Sequence, residues 1–290
     1  MIESVKSSAS EICFDGMPVF NPSELQLEGD WYQTHRALNA SATKITGSRL
    51  LVRRDRYTKT IDIDRVFTEI GIAAKDPKLL ELNHRPYVTF NTGTPGTQNS
   101  IFLCALDEQP FKPREVTIHG RKKTEKNIVF YMHEGKLHAL YQPFQCDAVE
   151  VDEHCGNLHL TAYHSKKKKR SLVKAIFGRL ARIERSFGSQ LCTFSGRHFV
   201  TLNYKLYFLK RRVYVPRIFE IVTLENKVTW IPRSRFLIHG LESVLGSKVK
   251  FNRNILGCMY SSGLMVDEDN FIIFYGLNDR AGFKAKVKRK

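Results

Sequence analysis

Five segments of this chain share one design, and that repetition constrains its fold more than any other feature. Each joins an apolar or alternating stretch to a tight polar turn and then to a second stretch rich in aromatics. They are Leu25-Gln26-Leu27 around Gly29 into Trp31-Tyr32, and Leu79 to Leu82 around Asn83-His84 into Tyr87 to Phe90. Val129 to Met132 follows around Glu134-Gly135 into Leu137 to Tyr141, then Leu191 to Phe194 around Ser195-Gly196 into Phe199 to Leu202. The last is Gly263 to Val266 around Glu268-Asp269 into Phe271 to Tyr275. Strand patterning joined to turn chemistry is the signature of a β-hairpin. Successive turns lie roughly 50 to 70 residues apart, room for a four-stranded unit with its loops. A lone hairpin is marginal in water, and radial stacking buries both faces of each unit. The pattern predicts an all-β chain, a five-bladed β-propeller forming one domain over residues 1–283. A β-sandwich with similar hairpins is the alternative architecture.

Composition agrees with strands over helices. The chain has 290 residues, 42% of them hydrophobic, with plentiful aromatic and β-branched side chains, enough for a sizeable core. The first residues, Met1 to Lys6, lack the apolar stretch of a signal peptide, and no run approaches a membrane span. The six cysteines are scattered without a Cys-x-x-Cys pair, so the spacing predicts reduced thiols in a cytoplasmic protein rather than a disulfide or zinc framework. The ten histidines show no ligand spacing, and no metal is expected.

The net charge of +17 calls for an anionic partner without choosing among phosphate, nucleotide, nucleic acid and membrane. Part of it sits where the hairpin pattern breaks. Lys166 to Arg170 precedes Ser171 to Ser186, whose apolar residues fall on one helical face, predicting a basic amphipathic helix inserted at about 165–186. It would suit an anionic membrane leaflet, or it docks on the propeller rim with a solvated basic edge. A second short helix is expected at Arg235 to Leu245. Residues 284–290, with Lys284, Lys286, Lys288, Arg289 and Lys290, read as a disordered basic tail.

Several short strings run in order along almost the whole chain. They are Asn21-Pro22-Ser23 with Arg36, Lys75-Asp76-Pro77-Lys78, Glu125-Lys126-Asn127, Arg185 with Gly188-Ser189-Gln190, and Tyr275-Gly276-Leu277-Asn278-Asp279. Together they resemble the five-bladed propellers of the inverting β-mannoside phosphorylases and related glycosyltransferase and glycosidase-like proteins. The resemblance implies that Asp76 is the sole catalytic carboxylate, the acid that delivers a proton to the leaving glycosidic oxygen, with Asn21, Arg36, Lys126, Asn127, Arg185, Tyr275 and Asp279 around the substrate. Lys75 and Lys78 depart from the family's Glu and Arg, and Ile128 stands where a Trp is expected. By itself Asp76-Pro77 reads as a turn at the start of a strand.

In a propeller the innermost strands of all blades face one channel, so these strings would converge there. The implied function is inverting transfer of a mannose-like glycosyl group, or reverse phosphorolysis, in glycan synthesis. Inorganic phosphate, a sugar phosphate or a nucleotide sugar would be co-substrate, a sugar donor and glycan acceptor the partners, and no other cofactor is needed. Basic side chains would hold the anion. The alternatives are a non-catalytic carbohydrate-binding propeller, which Lys75 and Lys78 beside the acid favour, and a basic nucleic-acid-binding protein. The last lacks any recognised binding motif, and no nucleic acid is expected.

Overall fold

A computed structural model describes residues 2–39, 44–54, 57–72, 74–93, 99–118, 127–144, 148–154, 157–160, 183–208, 211–224, 227–245 and 255–289. The architecture is all-β and propeller-like. Two strands precede the repeat, β1 (Ile2–Ser4) and β2 (Ala9–Phe14). The first four-stranded unit is β3 (Met17–Leu27), β4 (Asp30–Leu38), β5 (Ile45–Arg54) and β6 (Tyr57–Asp62), followed by the short helix Ile63–Thr68. The second is β7 (Lys75–Leu82), β8 (Arg85–Asn91), β9 (Ile101–Ala105) and β10 (Arg114–Ile118). The third is β11 (Val129–His133), β12 (Lys136–Leu140), β13 (Ala148–His154) and β14 (Asn157–Leu160). In the fourth, β15 (Ile183–Phe187) and β16 (Cys192–Phe194) both pair with β17 (Arg197–Phe208), which leads to β18 (Arg211–Leu224) and β19 (Lys227–Pro232). After β20 (Phe236–Ile238) and the one-turn helix Glu242–Leu245, the fifth contains β21 (Ile255–Val266), β22 (Asn270–Leu277) and β23 (Ala281–Lys288). Its fourth strand is β2, which pairs antiparallel with β23, Ala9 opposite Ala285.

All five hairpins are present at the expected turns. In four of them both turn residues are left-handed: Glu28-Gly29, Asn83-His84, Glu134-Gly135 and Ser195-Gly196. That is the turn whose twist matches two antiparallel strands. The fifth is closed by the Asp267 side chain, which accepts from the amides of Asp269 and Asn270.

Packing follows a cyclic order. Tyr32 and Leu50 of the first unit meet Leu79, Val88 and Phe90 of the second. Leu80 and Leu103 of the second meet Ile128 and Phe130 at the third. Val129 and Leu140 of the third meet Val200 and Leu202 of the fourth. Phe199 and Ile218 of the fourth meet Met259, Phe271 and Tyr275 of the fifth. Ile12 and Phe274 of the fifth meet Val19 of the first. Each buried Leu or Phe contributes about 1.5–3 kcal/mol, so every seam is an apolar core in its own right. Two seams also carry parallel pairing, β10 with β14 and β18 with β21.

Three expectations are corrected. The basic tail is a strand: β23 extends through Lys288, with Ala285 and Val287 buried and Lys284, Lys286 and Lys288 exposed. Its period-two alternation half-buries the backbone in the sheet, and Arg289 ties back to the carbonyls of Asp267 and Glu268. The amphipathic helix was expected to reach Ser186, yet Ile183 to Ser186 lie in β15, where Arg185 pairs with Tyr204. The rest of that segment, 161–182, lies outside the described residues. Arg235 to Leu245 is a short strand and a single helical turn. Among the described residues no helix is long and apolar enough to cross a membrane.

Candidate active site

The first strands of three units bulge, two of them where the sequence strings fall. Pairing slips between Phe20 and Ser23 in β3, between Lys75 and Lys78 in β7, and between Ser261 and Gly263 in β21. Asn21 and Asp76 occupy the first two bulges in matching left-handed conformations, φ +50° and +51°. Asn and Asp tolerate that region better than other non-glycine residues. The proline after each has no N–H to offer the ladder. The Asx-Pro pair is therefore both a turn signal and a device that turns a carboxylate or amide out of the strand.

Side chains from neighbouring units fasten these irregular backbones. Ser23 Oγ accepts from the Leu79 amide at 3.2 Å, and Thr34 Oγ1 donates to the Pro77 carbonyl at 3.2 Å. Ser262 Oγ donates to the Pro22 carbonyl. The buried Gln190 side chain donates to the Ile128 carbonyl at 2.7 Å and accepts from the Phe130 amide. Asn203 clasps both backbone groups of Ser261, each at 2.9 Å. Buried polar groups left open by the bulges are thereby satisfied.

Within this frame Asp76 receives the Arg36 guanidinium at 3.2 Å and the Asn21 amide at 3.5 Å. Arg36 and Asp76 keep only 15% and 16% of their side chains exposed, so their attraction is weakly screened. Asp279 stands on a left-handed turn after β22. Burial raises its carboxyl above the ordinary range and nearby Asp76 raises it further, while Arg212 and Arg36 pull it down. Tyr260 also feels Asp76, although burial is the larger cause of its raised phenol pKa, and its hydroxyl accepts from Asn127 at 2.9 Å. Lys78 is 2% exposed; its ammonium donates to the Phe187 carbonyl and lies 5.8 Å from the Tyr260 ring centre. Lys75 reaches the Gly93 carbonyl. The cluster thus draws on all five units: Asn21 and Arg36, Asp76, Asn127, Arg212, then Tyr260 and Asp279.

Not every expected residue joins it. Tyr275 is completely buried, its hydroxyl bonded to His239 at 2.7 Å and its ring stacked on Phe283, so it is a core residue. Its neighbour Gly276 does the local work, because a Cβ there would lie 2.5 Å from Asn21 Oδ1. Arg185 is exposed, with its guanidinium over the rings of Phe144 and Tyr204 at 5.1 and 5.2 Å. Lys126 lies outside the described residues. Sequence reasoning missed Arg212 and Tyr260. Arg212 Nε is buried without a hydrogen-bond partner, and Tyr214 and Tyr260 meet edge to face at 5.8 Å. Alternation in Arg211 to Val215 puts Arg212 and Tyr214 on one face, the signal that was available. Among the described residues no three His, Cys, Asp or Glu side chains converge as a metal site would need.

No protein-family model matches the sequence, and no curated protein matches it. Solved structures do match. A GDP-Man-dependent mannosyltransferase of Leishmania mexicana, MPT-1, superposes with a TM-score of 0.65 at 12% identity, covering 99% of this chain and 90% of that one. The chain has the fold of that mannosyltransferase. A mannose phosphorylase of the same organism, MPT-4, gives 0.54 at 11% identity over 99% of this chain and 86% of that one. The β-1,2-mannobiose phosphorylase of Listeria innocua gives 0.52 at 9% identity over 96% and 92%. The resemblance read from the short strings therefore holds at the level of the fold.

Proposed function

We propose that the chain transfers a mannose-like glycosyl group from a sugar phosphate or nucleotide sugar to a glycan acceptor, with inversion, at the Asp76 cluster. The observation that carries this reading is the Asp76 carboxylate held by Arg36 and Asn21 of the neighbouring unit, with Tyr260 and Asp279 close enough to feel its charge and Arg212 acting on Asp279. Arg36 lies against Asp76, and a carboxylate at this position removes a proton from an acceptor hydroxyl. The acceptor oxygen then attacks the anomeric carbon as the bond to the phosphate oxygen breaks, and the phosphate leaves with the bonding electrons. Arg36 and Arg212 supply positive charge for that leaving anion. Asp279 and Asn21 are suited to hold sugar hydroxyls.

The test is a panel of sugar 1-phosphates and nucleotide sugars, including the mannose forms, with simple oligosaccharide acceptors. Wild type is expected to give product that Asp76→Asn reduces by about 10²–10⁴-fold. The donor that works separates phosphorolysis run in reverse from nucleotide-sugar transfer. Equal product from wild type and Asp76→Asn would defeat the proposal. Glycan binding by both proteins with no product from either would make the chain a carbohydrate-binding propeller.

A further inference from the structure

A cavity of about 460 Å³ opens toward the other end of β3, lined by Glu24, Gln26, Gly29, Trp31, Arg53 and Lys284. Strand register builds it. Gln26, Trp31 and Arg53 stand abreast across β3, β4 and β5. Lys284 reaches over from β23 of the fifth unit. Gln26, Arg53 and Lys284 are exposed, and Glu24 and Trp31 are half-buried. The Glu24 carboxylate accepts from the Gln33 amide at 2.7 Å and from the Trp31 indole N–H at 3.3 Å, which fixes the indole by its polar edge. At the turn, Gly29 brings no side chain that could close the opening, and a Cβ there would meet nothing within 4 Å.

An aromatic ring held in place and rimmed by a carboxylate, an amide and two cations matches a pyranose. The apolar C–H face of the sugar lies on the indole, and its hydroxyls exchange hydrogen bonds with the rim. A free anion fits less well, because Glu24 places negative charge beside the two cations. We propose that this cavity is a second glycan site, taking one pyranose unit of an oligosaccharide at Trp31 separately from the Asp76 cluster. At the rise of an extended strand, Gln26 lies roughly 16 Å from Asn21 along β3, so a sugar held here is not the one reacting at Asp76. The choice of a mannose-containing probe rests on the function proposed above.

The chain has two tryptophans, Trp31 and Trp230. Trp230 is packed on Phe144 and Phe187, with ring centres at 4.8 and 6.0 Å. Trp230→Phe therefore leaves Trp31 as the single indole emitter. Titration of that protein with β-1,2-mannobiose and longer manno-oligosaccharides is expected to give a saturable emission change. The same change should persist with Asp76→Asn and at high salt. Gln26→Ala combined with Arg53→Ala should weaken it by about tenfold or more. Saturation-transfer NMR on protein that keeps Trp230, with and without the Gln26 and Arg53 changes, supplies the comparison should Trp230→Phe not fold. A flat titration, a response lost with Asp76→Asn, or one abolished by salt overturns the second site. Asp76-dependent transfer with a flat Trp31 titration removes the second site alone, and a saturable Trp31 response without transfer removes the enzyme reading alone.

Discussion

Asn203→Ala should cost the protein about 2–5 kcal/mol, far more than the loss of a small polar side chain at an ordinary strand position. Asn203 and Ser261 are both fully buried, and the amide of one clasps the backbone N–H and carbonyl of the other across the seam between the fourth and fifth units. Alanine removes both bonds and leaves both backbone groups in a place water does not reach. Each buried group without a partner costs about 1–3 kcal/mol, and the missing volume adds to that. At about 2–4 °C per kcal/mol for a chain of this size, the melting temperature should fall by about 4–20 °C. Asn203→Asp separates the lost bonds from the lost volume. A carboxylate still accepts from the Ser261 amide but faces the Ser261 carbonyl with no proton to give. Below its pKa the acid regains that proton, so this substitution should be milder in acid than at neutral pH. Urea unfolding of the three proteins at neutral and acidic pH, checked by calorimetry, reads all of this. A cost below about 1 kcal/mol for Asn203→Ala, or a pH-independent Asn203→Asp, would refute the clasp as the reason the β21 bulge holds.

Glu220 is pinned by Arg197 and Arg233, and the Arg197 hydrogen bond is the main cause that lowers its pKa from 4.5 to about 2. The stability it gives is present above its unfolded pKa and lost as pH falls from 4.5 toward about 2. Glu220→Gln should therefore cost about 1–2 kcal/mol at neutral pH. The urea midpoints of variant and wild type should converge through that acidic window, and a constant gap would contradict the assignment. Gly276→Ala should cost about 1–3 kcal/mol by overpacking. Because its Cβ meets Asn21 Oδ1, it should also weaken sugar binding measured by calorimetry; wild-type affinity would argue against Asn21 as a binding group.

The hairpins were readable because each carries its own local instruction. Turn residues that accept left-handed backbone stand between stretches of matching alternation, and no distant contact is needed to recognise them. The same rule was overlooked in residues 283–288. There the lysines drew attention to charge, although Phe283, Ala285 and Val287 alternate with them as inward residues of a strand. Ile183 and Arg185 likewise looked helical from a pattern that continued from the preceding residues, while pairing with β17 decided the outcome. At the site, the Asx-Pro strings located Asn21 and Asp76 because an unusual backbone leaves a residue signature. Arg212 left only the alternation it shares with Tyr214, and Tyr260 left no such signature. Their part depends on which strands become neighbours, and Tyr275, adjacent to a functional glycine, took a role in the core through the hydroxyl it shares with His239.

The pairing of β2 with β23 has a kinetic consequence. Ala9 meets Ala285 across 276 positions of sequence (285 − 9), so the ring closes through a contact of very long range. Contacts of that kind slow folding, because their loop-closure entropy is met before they contribute. A nascent chain that has not released residues 281–288 from the ribosome holds four units in order and an unpaired β2 edge, a surface open to chaperones and to wrong strand partners. Once β2 seats, the two ends of the ring are latched to each other. Unfolding that begins at this seam must then break the β2–β23 ladder before the first and fifth units can separate.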